Sequence, residues 1–214
     1  MTPKLYLADE VLSLNLQGDI FKPGYVLIDD DRLVEVGPQS ALQGRSLDGA
    51  IHLHRRLVMP GLVNAHTHTP MSLFRGMAEP YSLFTFEGWY AGIRGLEAVM
   101  DGDMVPQAVA VSCAEMIRTG TTCFADQYFY MERVVPVVAQ SGLRAALAYG
   151  IVELGDESAR RRELDSARRF LSLIRDHPRL TGWVGPHAFF VDNSLEAIEM
   201  EIALADEFST GLHF

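Results

Sequence analysis

The chain has 214 residues, of which 48% are hydrophobic and 21% charged, a composition typical of globular domains with a hydrophobic core. Its formal net charge of −10 argues against a nucleic-acid-binding surface, which is normally basic. No apolar run approaches the ~18 residues of a membrane span, and no signal-peptide pattern is present. Two cysteines, Cys113 and Cys123, are too few for a disulfide scaffold, so we expect a cytoplasmic protein.

Residues 1–56 are predicted to form a small antiparallel β unit. Short β-rich runs such as KLYLA and YVLIDDDRLVEVG are separated by Gly, Pro and polar residues, as in consecutive strands joined by turns. The triplet Asp29-Asp30-Asp31 is expected to form a hairpin turn, because Asp tolerates turn conformations.

From residue 57 onward, strands and helices alternate. The run LVMPGLVNAH is predicted to be one continuous apolar strand, buried on both faces of a parallel sheet. A helix ending at Gly120 and the strand TTCFAD follow, and the pattern continues to the start of a fifth strand, TGLHF. Repeated βα units predict either a barrel or a doubly wound sheet. The lack of a G-x-G-x-x-G motif after the first strand favours the barrel.

Two histidines, His66 and His68, stand at the end of the first predicted barrel strand. Residues two apart in a strand point to the same face, and barrel enzymes carry their sites at the carboxyl ends of the strands. Two neutral imidazoles can each reach one metal ion at ~2.0–2.1 Å, supplying half of a four-ligand site. The alternative is a hydrogen-bonded pair at a strand end.

A second pair with the same spacing, His52 and His54, lies in the β-rich N-terminal part. Arg55 and Arg56 follow it directly, and two fixed cations oppose metal binding. We interpret this pair as exposed strand residues.

Two further histidines follow later strands. His187 comes after the fourth barrel strand, where the Gly185-Pro186 turn would direct it into the barrel mouth, and His213 lies on the incipient fifth strand. Either can instead be an ordinary loop or strand histidine. The only lysines, Lys4 and Lys22, precede the barrel, so no carboxylated lysine is available here to bridge two metals, which favours a mononuclear site.

The stretch PGLVNAHTHTPMSLFRGMAE, the strand TTCFAD and the segment GPHAFF resemble the amidohydrolase superfamily. They are most similar to its branch of methylthioadenosine/S-adenosylhomocysteine deaminases and triazine chlorohydrolases. The resemblance covers essentially all 214 residues. It implies an α/β fold: a (β/α)8 TIM-type barrel, of which residues 57–214 would be the first half. Residues 1–56 would be part of a small N-terminal β-sandwich domain.

The resemblance also implies one divalent metal ion, zinc first, with iron or manganese as alternatives, bound by His66 and His68. In the family, histidines on the fifth and sixth strands and an aspartate on the eighth complete the site. His213 is either the fifth-strand ligand or lies two residues before it. The glutamate that moves protons would lie beyond residue 214, so the 214 residues alone are expected to be inactive.

By the same resemblance, His187 corresponds to a pocket histidine that contacts the substrate ring. Trp89 resembles a pocket tryptophan, and Glu97 is near the family's sugar-binding glutamate. The aromatic residues of the loop EPYSLFTFEGWYAGIRGLEAVMDG suit a pocket for a flat ring, although this loop departs from the family's usual spacing. Packing of the same aromatics on the barrel rim is the alternative.

The function implied is hydrolytic deamination of a nitrogen heterocycle, first of all an adenosine-type nucleoside or a related purine. A metal-activated hydroxide would attack the amine-bearing ring carbon, and ammonia would leave. A triazine-type chlorohydrolase or another amidohydrolase is the alternative, and a non-catalytic homologue or half-protein assembly module is an alternative of another class. The expected partners are a small heterocyclic substrate and further copies of the chain, with neither nucleic acid nor membrane.

Overall fold

The computed structural model describes residues 3–214, which form two compact units. One unit ends at Gly61, and the other comprises Leu62–Phe214. Each unit contains its own β-sheet. Within the described part of the chain, no helix is long and apolar enough to cross a membrane.

The first unit is a five-stranded sheet whose strands β2, β1, β3 and β4 lie side by side in that order and pair antiparallel, while β5 pairs with β1 in parallel. The antiparallel pairing is therefore as predicted for four of the strands. The predicted turn is also confirmed, because Asp30 and Asp31 connect β3 to β4 and Asp30 adopts a positive φ of 52°. The strands are β1 (Lys4–Leu12), β2 (Ile20–Phe21), β3 (Gly24–Asp29), β4 (Arg32–Pro38) and β5 (Ile51–Val58).

The second unit is a parallel four-stranded sheet in the order β6-β7-β8-β9, covered by helices. Its strands are β6 (Leu62–Thr67), β7 (Thr121–Tyr128), β8 (Arg144–Gly150) and β9 (Leu180–Gly185). Its α-helices are α1 (Phe86–Trp89), α2 (Gly95–Glu97), α3 (Val105–Thr119), α4 (Met131–Ser141), α5 (Glu157–Ile174), α6 (Phe189–Asp192) and α7 (Leu195–Phe208).

Local sequence signals set the ends of these helices. Helix α3 ends before Gly120, whose φ of 87° places it in the left-handed conformation that glycine adopts without a steric penalty. Helix α7 begins after Ser194, whose hydroxyl accepts a hydrogen bond from the Ala197 amide as an N-cap. After α7 the chain returns to the sheet, where Leu212 forms a parallel bridge with Val184 of β9. The predicted α/β order of four strand–helix units and an incipient fifth strand is confirmed.

The prediction of one continuous buried strand over LVMPGLVNAH is wrong. Leu57 and Val58 end β5 of the first sheet, and β6 begins only at Leu62. Pro60 has no amide hydrogen to donate to a ladder, so the strand breaks there. Strand β6 is also not buried on both faces: among the described residues it pairs only with β7, and Val63 is 69% exposed.

Candidate active site

The side chains that the sequence singled out converge on one cavity of the second unit. This cavity has a volume of about 400 Å³ and lies at the carboxyl ends of the parallel strands. Its wall combines polar groups with aromatic and aliphatic ones, the mixture typical of small-molecule sites. The predicted residues that line it are His66, His68, Trp89, Glu97 and His187.

The three candidate ligand histidines lie next to one another. His66 and His68 project from the end of β6 with ring centroids 4.9 Å apart, as expected for residues two apart in a strand. His66 Nδ1 lies 2.9 Å from His213 Nε2, although 147 residues separate the two in sequence. His213 is held in place because its carbonyl accepts a hydrogen bond of 2.7 Å from the Gln127 amide group.

His68 has a defined tautomer. Its Nδ1 lies 2.6 Å from the carbonyl oxygen of Gln127, and because a carbonyl can only accept, Nδ1 must carry the proton. Nε2 is then left with a lone pair, the arrangement found in metal-ligating histidines. Burial lowers the pKa of His68 and, together with the neighbouring histidines, that of His213. Both shifts favour the neutral ring, the form that binds a metal.

A buried carboxylate anchors the end of β6. Asp126 on β7 is fully buried, accepts a hydrogen bond of 2.9 Å from the Thr69 amide and also accepts the Thr69 hydroxyl hydrogen. Burial raises the pKa of Asp126 to about 7. Asp126 belongs to the predicted strand TTCFAD and had no predicted role; an acidic residue at the end of an apolar strand is the signal that the sequence offers.

These residues fit a metal ion in the chemistry of their donors. Two nitrogens bound at ~2.0–2.1 Å to one tetrahedral zinc lie ~3.3 Å apart, close to the 2.9 Å between His66 and His213. The three histidines do not form a complete metal site, however. Among residues 3–214, no three His, Cys, Asp or Glu side chains form a group that could hold a metal ion. An ion here would need further ligands.

Trp89 and Glu97 reach the cavity from a helical segment that follows β6. Here α1, a π-helical turn (Tyr90–Arg94) and α2 succeed one another without a break, so the segment predicted as a loop is helical over these residues. Glu97 is nearly buried, and its Oε2 accepts a hydrogen bond of 2.8 Å from Arg94. The segment therefore places an aromatic ring and a carboxylate on one wall.

Tyr128, which was not among the predicted site residues, also lines the cavity. It is 2% exposed, and its hydroxyl has no hydrogen-bond partner. Burial, and next the charge of Glu97, raise the pKa of this phenol. An unpaired hydroxyl in a binding cavity is a donor available to a ligand. Its position at the end of β7, between Gln127 and Phe129, gave no distinctive signal.

His187 is held in an unusual conformation. It follows β9 with a φ of 50°, a left-handed conformation that non-glycine residues rarely adopt. The turn before it requires Gly185, because a Cβ there would lie 2.6 Å from the carbonyl oxygen of Tyr149. The His187 ring packs against Phe129, with a centroid distance of 5.6 Å, and its Nδ1 is in close contact with the Asp192 carboxylate.

The other histidine pair has a different environment. His52 and His54 lie on β5, are exposed and stack on each other with ring centroids 5.7 Å apart. This agrees with their interpretation as exposed strand residues. Larger cavities than the one at His66 also exist, including one of about 670 Å³ lined by Tyr149, Glu163 and their neighbours. No histidine lines that cavity, and in another of about 730 Å³ His68 is the only candidate site residue, so the clustering of candidate residues rather than volume selects the site.

The second unit combines parallel βα units with a histidine-lined cavity at the carboxyl ends of its strands, and comparison with known proteins shows the family in which this arrangement occurs. The amidohydrolase family matches residues 57–214, so the chain belongs to this family, as the sequence predicted. The 5'-deoxyadenosine deaminase of Methanococcus maripaludis is 39% identical over 160 residues, which is 73% of this chain and 37% of that protein. The chain thus spans well under half of that relative.

Solved structures agree on the architecture. A zinc-bound adenosine deaminase from Xanthomonas campestris superposes with a TM-score of 0.80 at 27% identity, covering 98% of this chain and 48% of that one. A zinc complex of atrazine chlorohydrolase from Arthrobacter aurescens superposes with a TM-score of 0.79, covering 98% of this chain and 52% of the other. At 20% identity, this second similarity shows the fold alone. The predicted TIM-barrel fold class is confirmed, with the chain covering about half of these structures.

Proposed function

We propose that this chain forms part of a metal-dependent deaminase of adenosine-type nucleosides. The observation that supports this most is the convergence of His66, His68 and His213 beside the cavity that Trp89, Glu97 and His187 line. The relatives support the same class, because the curated relative described above is a 5'-deoxyadenosine deaminase and a structural neighbour is an adenosine deaminase with bound zinc.

His66, His68 and His213 would each contribute a nitrogen to the ion, which would need further ligands besides them. A bound divalent ion would supply water activation, because it lowers the pKa of water toward ~7. The residues that line the cavity would bind and orient the substrate. Trp89 offers a flat surface against which a purine ring can stack, and such a pair contributes ~0.5–1.5 kcal/mol beyond the area that it buries.

Glu97 would recognise the sugar. Its Oε2 is bonded to Arg94, which leaves Oε1 for the hydroxyl groups of a ribose. A hydrogen bond between a hydroxyl and a carboxylate contributes ~1.5–3 kcal/mol. A free base lacks these hydroxyls, so the carboxylate would distinguish a nucleoside from its base.

The test is the binding and deamination of 5'-deoxyadenosine. We expect the zinc-loaded protein to bind this nucleoside in equilibrium dialysis, and Glu97→Gln to weaken the binding about tenfold while sparing adenine. Glu87→Gln is the matched control, since Glu87 is exposed on the same helical segment and does not line the cavity. Ammonia release from 5'-deoxyadenosine, measured on the protein as isolated from its source, tests turnover. Equal losses of affinity for the nucleoside and for the base would exclude the sugar-binding role. The absence of both nucleoside binding and ammonia release would refute the proposed function.

A further inference from the structure

Asp192 is a buried acid that the proposed function does not use. Its side chain is 3% exposed, and one of its oxygens contacts His187 Nδ1. His187 itself lines the cavity and is partly exposed to it. A carboxylate in this position is an acceptor only, so the proton of the contact belongs on Nδ1.

The segment that carries Asp192 is fixed on several sides. The Asp192 carbonyl accepts hydrogen bonds from the amides of Glu153 and Leu154, at 3.2 and 2.8 Å. Its own amide donates to the Ala188 carbonyl at 2.9 Å, which closes the short helix α6. The carboxylate therefore has little freedom to leave His187.

The neighbouring residue, Asn193, ties the same segment to the sheet. Its side-chain amide donates to the carbonyl of Pro186 at 2.9 Å, directly before His187, and to a carboxyl oxygen of Glu201 at 2.8 Å. Glu201 lies on α7 and is fully buried. Both ends of the turn from His187 to Asp192 are thus anchored, and this maintains the strained φ of His187.

We infer that Asp192 is a positioning residue that holds the His187 proton on Nδ1 and so presents Nε2 to the cavity as a hydrogen-bond acceptor. The chemical group that this acceptor fits is an N–H donor of a heterocycle, such as the exocyclic amine of an adenine ring. An inverted tautomer would present a donor to the same amine and would reject it. The role of His187 in substrate binding rests on the proposed function, but the assignment of its proton to Nδ1 does not.

The first experiment is ¹⁵N NMR of histidine-labelled protein at a pH where the rings are neutral. The chain has seven histidines, and the His187 signals are identified by their loss in His187→Gln. We expect the wild-type protein to show a protonated Nδ1 and an unprotonated Nε2 at His187. A proton on Nε2 instead would overturn the inference without any variant of Asp192.

The second experiment is Asp192→Asn, which keeps the shape of the side chain but can donate to Nδ1. In Ser-His-Asp triads this exchange leaves the geometry intact and puts the histidine in the wrong tautomer. We expect His187 to move its proton to Nε2, and binding of 5'-deoxyadenosine to weaken about tenfold. Purine riboside, which has no exocyclic amine, should lose no affinity.

Asp176→Asn is the control, because Asp176 is exposed beside a different histidine, His177, and should leave the His187 spectrum unchanged. An unchanged His187 tautomer in Asp192→Asn would overturn the inference, as would equal losses of affinity for both nucleosides. If neither nucleoside binds the wild-type protein while Nδ1 is protonated, the proposed function fails and the positioning of His187 by Asp192 stands. If Asp192→Asn does not fold, the wild-type spectrum still decides the tautomer.

Discussion

Two histidine pairs with the same spacing lie in different surroundings. His52 and His54 are exposed on β5 and stack on each other, and the chain continues into Arg55, whose amide donates to the Asp9 carboxylate. His66 and His68 end β6 beside a cavity, and the chain continues into Thr69, held by buried Asp126. Each pair is thus followed by an amide bonded to a carboxylate, but only the second pair faces a third histidine and a pocket wall. The spacing of two histidines does not by itself make a site. The position of their strand in its sheet decides whether they face a cavity.

The largest expected effect is on metal content. Replacing His66 and His68 together by Ala should reduce bound zinc from about one equivalent to almost none, because at least two of the proposed ligands are lost. The same double change at His52 and His54 should leave zinc unchanged. The measurement is elemental analysis of dialysed protein. Retention of zinc in the first variant, or its loss in the second, would invalidate the distinction between the pairs.

The next effect is on stability, through the two carboxylates that follow the pairs. Asp126→Ala should lower the free energy of unfolding by about 2–4 kcal/mol, because the buried amide and hydroxyl of Thr69 lose their acceptor. Asp9→Ala should lower it by only about 0.5 kcal/mol, since water replaces the exposed acceptor of Arg55. Urea denaturation monitored by circular dichroism measures both. Equal losses of unfolding free energy in the two variants would mean that the burial of Asp126 adds nothing to its effect on stability.

A smaller effect, dependent on pH, comes from a buried and an exposed glutamate of α7. Burial, and next the charge of Glu153, raise the pKa of Glu201 from 4.5 to about 8. The folded state then binds this proton more tightly than the unfolded state, so its stabilising contribution is full below pH 4.5 and is lost as pH rises to about 8.

Glu201→Gln should therefore make stability depend less on pH over that range, whereas Glu199→Gln, at an exposed position, should not. Denaturation series at several pH values measure the slope. Asp126, whose pKa is raised to about 7, adds a contribution of the same sign that remains in both variants. An unchanged slope in Glu201→Gln would contradict the assignment of this proton to Glu201.

The smallest effect is expected at two tyrosines, Tyr128, which is buried, and Tyr149, which is partly buried. Tyr128→Phe should leave stability unchanged, because the lost hydroxyl has no partner, and should weaken binding of 5'-deoxyadenosine about threefold. Tyr149→Phe should lower stability and leave binding unchanged, since the Tyr149 hydroxyl donates to Glu163 at 2.9 Å and does not line the cavity. Thermal unfolding and equilibrium dialysis separate the two effects. If only the Tyr149 variant binds the nucleoside more weakly, Tyr128 would not belong to the binding site.

Much of the site could be predicted from local sequence, and particular residues show why. The period-2 geometry of a strand places His66 and His68 on one side whatever the surrounding fold, and the family's motif identified Trp89, Glu97 and His187, which all line the cavity. The helix ends at Gly120 and Ser194 follow from glycine's conformational freedom and serine's capping hydroxyl. The metal ligation itself stays a prediction.

Other features were decided by the tertiary structure. The contact between His66 and His213, the burial of Asp126 against Thr69 and the pairing of Asp192 with His187 depend on where whole strands and turns are placed. A sequence pattern records periodicity and local conformational preference, so it determined the strand–helix order and the faces that side chains occupy. Burial, hydrogen-bond partners and pKa shifts depend on atoms distant in the chain, and only folding brings those atoms together.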